Sequence, residues 1–171
     1  VASARDRAVL EARAKELARA IAPEEADGAR EVLRFTRGAE ALAIEVRHVC
    51  GVTRPVDITP VFGLPPLWVG VFAHRGEVVA VVDPARLSPV AAPPAPAGPL
   101  VLVLGDEQVE LGLLVDAAHD IVRLRADEVL PAPRVADGPP LLGVTAEGTA
   151  LLDGAGLLGD ARLFVGPGSA P

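Results

Sequence analysis

From Val32 onward, apolar residues come in short runs separated by turn residues. Val32–Thr36, Ala41–Ile44, Cys50–Thr53, Trp68–Ala73 and Val78–Val82 are rich in β-prone side chains, and Arg37-Gly38, Arg54-Pro55, Pro65-Pro66 and Arg75-Gly76 punctuate them. A second set follows at Leu100–Leu104, Val109–Val115, Ile121–Leu124, Leu141–Thr145, Thr149–Leu152 and Arg162–Val165. Short apolar runs of this kind between breakers predict strands. The segment before them has a different period. Leu10, Ala14, Leu17 and Ile21 fall at helical spacing, Ser3 and Asp6 stand where a capping box would, and Pro23 stops the pattern. This predicts a helix over 3–22, an addition to the strand-rich body. Its stripe Leu10, Leu17 and Ile21 is expected to pack on that body or to dock a partner.

A polar linker (23–30) follows the helix, completing an N-terminal segment of 1–30. Residues 88–99 (SPVAAPPAPAGP) cannot join a sheet interior and read as an extended linker. The body, 31–165, thereby divides into about 31–87 and 100–165, and the two parts resemble each other. Ile44-Glu45-Val46 through Val52-Thr53-Arg54 parallels Leu113-Leu114-Val115 through Ile121-Val122-Arg123. Leu67-Trp68-Val69-Gly70-Val71 parallels Pro140-Leu141-Leu142-Gly143-Val144, and Val79–Asp83 parallels Thr149–Asp153. A near-duplicated set of five short strands predicts two small β-barrels of similar build.

Composition narrows the picture. Half of the 171 residues are hydrophobic, enough for a core, yet Gly and Pro number 17 each, too many breakers for a helical bundle. The net charge of -7 argues against nucleic acid as a partner. Residues 1–22 carry five cations and three acids, +2, so the remainder sums to -9. Lys15 is the only lysine, beside fifteen arginines, a skew that hints at a GC-rich bacterial genome. One cysteine forbids an internal disulfide, and no apolar run reaches the ~18–20 residues that span a bilayer. The charged N-terminal pattern does not read as a secretory signal. The expectation is a soluble cytoplasmic protein without direct membrane insertion.

Signs of catalysis are few. His48, His74 and His119 are scattered without a metal partner at helical spacing, and Cys50 lies in an apolar strand, where it reads as a buried, inert thiol. Gly154-Ala155-Gly156-Leu157-Leu158-Gly159 matches a dinucleotide-binding spelling. That fold needs a further helix, a strand and an acid about 20 residues on. No such unit fits between Gly159 and Pro171, so the run reads as a strand end and one helical turn capped by Asp153. No catalytic residue, metal or cofactor is expected; a small nucleotide-binding enzyme stays as a remote alternative.

Gly63-Leu64-Pro65-Pro66-Leu67-Trp68-Val69-Gly70-Val71, followed by Arg75-Gly76-Glu77-Val78-Val79-Ala80-Val81-Val82-Asp83, resembles the signature of CheW-like domains. Leu33–Gly38 is similar to that family's first strand and hairpin, and Gly112–Asp116 with Ile121-Val122 to its second-half hallmark. The resemblance spans roughly 31–165. It implies a mainly β fold of two intertwined five-stranded SH3-like barrels with an apolar groove between them. It also implies a non-enzymatic scaffold of bacterial chemotaxis signal transduction, recruited to receptor clusters. Such an adaptor couples the cytoplasmic tips of methyl-accepting chemotaxis receptors to the regulatory domain of the two-component histidine kinase CheA, or to another CheW-like protein.

The receptor contacts that the resemblance implies fall on Val49, Gly70, Arg75, Ala118 and Ile121. Val49, Ala118 and Ile121 would supply apolar surface to a helical hairpin, Gly70 close backbone approach, and Arg75 a hydrogen-bonding fork. Some spellings depart from the family. Its Asn-Leu before the arginine is Ala73-His74 here, and the acid that partners the arginine in many members corresponds to Gly51. The strand-end Asp-Leu-Arg is Asp83-Pro84-Ala85, and Gly143 to Asp153 is three residues shorter than Gly70 to Asp83. The alternative implied is an accessory CheW-like protein that binds receptors without recruiting CheA.

Overall fold

A computed structural model of the chain describes residues 28–87, 92–94, 96–106, 108–132 and 138–163. The expected helix over 3–22, with Leu10, Leu17 and Ile21, lies outside the described residues, as does part of the Pro-rich linker. Among the described residues the chain forms β1 (Arg30–Arg37), β2 (Glu40–Glu45), β3 (Val49–Thr53), β4 (Trp68–His74) and β5 (Glu77–Val82). Then come β6 (Leu100–Leu104), β7 (Leu111–Val115), β8 (Ala117–Leu124), β9 (Val129–Leu130), β10 (Leu141–Thr145), β11 (Ala150–Leu152) and the short helix α1 (Gly154–Leu158). The mainly β class is as the sequence predicts.

Two sheets hold the described strands, in the orders β8-β1-β2-β11-β10-β9 and β3-β6-β7-β5-β4. Neither sheet follows one half of the chain. The first takes β1 and β2 from before the Pro-rich segment and the rest from after it; the second takes β6 and β7 from after it and the rest from before it. The sheets are intertwined, and their registers repeat. Leu33 faces Ile44 in one, as Leu102 faces Leu113 in the other. Phe35 faces Ala118, as Leu104 faces Val49, and Leu33 faces Ile121, as Leu102 faces Val52. β11 runs parallel to β2, as β5 runs parallel to β7. The Asp83 N–H donates to Leu67 O at 3.0 Å, as the Asp153 N–H donates to Pro140 O at 2.9 Å. A single set of strand instructions, written twice, therefore builds both sheets.

The largest core cluster joins them. Leu33, Phe35, Leu42 and Ile44 of the first sheet pack with Val82, Leu102, Leu104 and Leu113 of the second. These residues alternate along their strands with residues of two smaller clusters, one on the other face of each sheet.

Three local readings are corrected. Arg162–Val165 is not a strand where it is described: Ala161–Leu163 is a 3-10 turn, and Arg162 turns back onto Asp160 and the Gly138 carbonyl. The short strand β9, a sixth member of the first sheet, has no counterpart in the periodicity reading; its equivalent in the second sheet is the single bridge Thr59↔Val71. Cys50 is exposed rather than buried, because β3 is an edge strand and its alternation turns that side chain outward.

Candidate functional site

Val49 opens β3 and Ala118 lies near the start of β8. They occupy equivalent positions in the two sheets, opposite Leu104 and Phe35, and each is half-buried against the cluster that joins the sheets. Two of the predicted residues thus border one apolar cluster from two sheets. Ile121, three positions further along β8, is 59% exposed on an edge strand. Its equivalent Val52 is also exposed, at 47%. An isoleucine held largely in water by a regular strand is surface available to an apolar partner.

Gly70 sits at a bulge in β4 with φ +154, and a Cβ there would lie 2.3 Å from the Thr59 carbonyl oxygen. Thr59 and Val71 exchange two backbone hydrogen bonds of 2.8 and 2.9 Å at this point. The close approach that Gly70 permits is therefore made by the chain's own loop, not left open above the strand. Gly143 does the same in the first sheet: a Cβ there would lie 2.4 Å from Leu130 O.

Arg75 and Gly76 form the two-residue turn between β4 and β5, with φ of +50 and +87. Positive φ at both central positions is the type I′ geometry that matches strand twist. Arg75 is the one non-glycine residue with positive φ among those described. Its side chain is exposed, and it makes no hydrogen bond or ion pair among the described residues. Left-handed backbone costs a non-glycine residue about 1 kcal/mol. At Gly51, a Cβ would meet nothing within 4 Å.

A second constellation escaped the sequence reading. Arg37, at the end of β1, is 1% exposed. Its Nε and Nη2 donate to the two carboxylate oxygens of Asp83 at 2.9 and 2.7 Å. Nη1 donates to Asp116 at 3.2 Å and to Pro94 O at 3.1 Å, and Nη2 also to Pro93 O at 3.2 Å. The Asp83 hydrogen bonds raise the Arg37 pKa further above its ordinary value. Asp83 and Asp116 follow apolar strands of the second sheet, so the guanidinium ties both sheets to the Pro-rich segment. The available signal was an acid ending each of two apolar runs, Val78–Val82 and Leu111–Val115.

The glycine-rich run has a packing explanation. Asp153 caps α1, its carboxylate accepting the Gly156 N–H at 2.9 Å. A Cβ on Gly154 would lie 2.3 Å from the buried His48 ring. Glycine is needed there for contact with the chain itself. Among the described residues no group of three or more His, Cys, Asp and Glu side chains is placed to hold a metal ion, and no helix is long and apolar enough to cross a membrane.

Two sheets exchange strands, share one core and are edged by apolar strand positions. The scaffolding protein TtCheW of Thermoanaerobacter tengcongensis shares this architecture, with a TM-score of 0.63 at 18% identity over 72% of this chain and 88% of that one. The family model described as CheW-like domain matches residues 31–162. Relatives include a chemotaxis protein CheW of Rhizobium meliloti, 31% identical over 64% of this chain and 71% of the relative. Another is a chemotaxis protein CheW of Klebsiella aerogenes, 29% identical over 79% of this chain and 76% of the relative. The chain belongs to the CheW-like domain family.

Proposed function

We propose that this protein is a non-enzymatic adaptor of a bacterial chemosensory array, working in the cytoplasm at receptor clusters. It binds the cytoplasmic tips of chemoreceptors and couples them to CheA or to one another. The observation that carries the reading is Arg75. A solvated arginine held in the left-handed region without a partner among the described residues, at the end of an edge hairpin, is poised for a partner's carboxylates or carbonyls. Val49, Ala118 and Ile121 supply apolar surface for a helical hairpin, and Gly70 keeps β4 seated against the Thr59 loop. The family relatives named chemotaxis protein CheW support the same reading.

An accessory role, receptor binding without CheA recruitment, is favoured by one feature: Gly51 stands where many family members carry the acid that partners the arginine. Co-sedimentation with receptor cytoplasmic fragments, with and without CheA, tests both. Sedimentation with receptor alone is expected. Strong kinase stimulation would remove the accessory reading, and failure to bind any receptor fragment would remove both.

A further inference from the structure

The connection from β3 to β4 holds Val56, Val61 and Phe62 in solvent, and Phe62 is 99% exposed while Phe35 and Phe72 are buried. The chain has four phenylalanines, one tryptophan and no tyrosine, so a whole ring left in water is a large share of its aromatic surface. Three exposed apolar side chains within seven residues make a patch rather than a scattered exposure.

The backbone that carries them is pinned. Ile58 packs against the cluster that contains Phe72. Thr59 exchanges two backbone hydrogen bonds with Val71, and the Trp68 N–H donates to Pro65 O at 3.0 Å. Arg86 Nη1 donates to Pro66 O. Pro55, Pro60, Pro65 and Pro66 restrict the chain between these points. Apolar side chains on so fixed a backbone lose little freedom when a partner covers them.

The same segment borders the candidate site. It joins β3, which carries Val49, to β4, which carries Gly70 and leads to Arg75. Thr59 meets Val71 in the antiparallel sense. The chain before Thr59, with Val56, therefore runs toward the Arg75 turn, and the chain after it, with Phe62, runs toward the start of β4. Gly70 stands at the meeting point, where a Cβ would strike the Thr59 carbonyl. Arg54 and Asp57 leave the segment neutral, so it adds no net repulsion to a partner that brings a carboxylate to Arg75.

We infer, on the adaptor reading proposed above, that residues 56–62 are a docking surface in their own right, and that Gly70 serves the site by seating them. The occupant is the helical hairpin of a receptor tip, with an acid for Arg75 and an apolar ridge for Val56 and Phe62. A ring standing out from a pinned loop is a knob, and a helix surface offers holes between side chains three and four apart. Val49, Ala118 and Ile121 supply flat strand surface; this segment supplies the projecting anchor.

Titration calorimetry of the full chain against a receptor cytoplasmic signalling fragment tests this. Val56→Ser/Phe62→Ser should bind at least about tenfold more weakly. Its thermal midpoint should not move, because both side chains are already in water. Phe62→Leu keeps an apolar anchor and should stay within about threefold of the unsubstituted chain. Amide exchange in residues 56–62 should slow about tenfold when the fragment is bound. Equal affinity of the double variant and the unsubstituted chain would overturn the inference and leave the adaptor reading standing, even if capture of CheA were lost. A fall in affinity matched by a fall in the thermal midpoint would make the segment structural and overturn it. Failure of the unsubstituted chain to bind the fragment would overturn both.

Discussion

Arg37 and Asp83, at strand ends in different sheets, form a bidentate ion pair from which solvent is excluded: the two side chains are 1% and 0% exposed. Burying two charges is costly, and the geometry offsets it by satisfying the guanidinium with Asp116 and two proline carbonyls as well. The Asp83 carboxylate also accepts the Ala85 N–H at 3.1 Å, fixing the turn that leaves β5. An apolar contact would tolerate sliding between the sheets; this pair admits one arrangement.

Removing one partner should therefore be worse than removing both. Asp83→Ala leaves a buried guanidinium without its main acceptor and should cost about 3–5 kcal/mol. The Arg37→Leu/Asp83→Leu double variant should recover part of that loss. Urea unfolding of the two variants, compared at equal m-value, checks the order.

Gly70 and Gly51 separate a glycine that is required from one that is not. Gly70→Ala must displace the Thr59 carbonyl, which is backbone and cannot swing away, and must adopt φ +154. A loss of roughly 2–3 kcal/mol is expected, with the Thr59–Val71 bridge opening first. Gly51→Ala meets empty space and should change stability by no more than about 0.5 kcal/mol. Thermal unfolding of the pair reads the contrast.

The strand pattern and the duplication were legible because two-residue alternation and breaker spacing are local properties. Ile44 and Leu113, matched in the spelling of the two halves, do occupy equivalent register positions. Of the Arg37 network only the acids that end two apolar runs, Asp83 and Asp116, left a local signal; the members lie far apart in sequence, and nothing local distinguishes Arg37 from any hairpin arginine. β9 was missed because Val129-Leu130 is too short to show a period. The exposure of Cys50 depends on β3 lying at a sheet edge, which only strand order reveals. Of the site, Arg75-Gly76 was readable as a turn, while its left-handed backbone and its lack of a partner among the described residues required the fold.

Exposed ion pairs should show in the acid titration. Arg34 holds the Asp120 carboxyl below its ordinary value, chiefly through their hydrogen bonds. A carboxyl lowered in the folded state contributes stability above its unfolded pKa and loses it as pH falls through the folded value. Carboxyl carbon shifts followed by NMR should place the Asp120 midpoint below the ordinary Asp value, and Arg34→Ala should move it up. Asp160, lowered by Arg162, should titrate below the ordinary value in both proteins.

Receptor binding should depend on Ile121 and respond to Gly51 in opposite senses. Ile121 is largely in water already, so Ile121→Asp should leave the fold intact. In the bound state it would force a carboxylate into an apolar contact and should abolish capture of a receptor signalling fragment. Gly51→Glu adds a side chain where a Cβ meets nothing within 4 Å, at the position where the resemblance implies an acid that partners the arginine. A partner that holds Arg75 in one rotamer removes an ordering cost of about 0.5–1.5 kcal/mol on binding. The affinity for the receptor fragment should then rise by up to roughly tenfold. Arg75→Ala should weaken binding, and in that background Gly51→Glu should give no gain, because the acid then has nothing to order. Titration calorimetry on the four proteins measures this coupling directly; an equal gain with and without Arg75 would mean that the acid acts on the receptor itself.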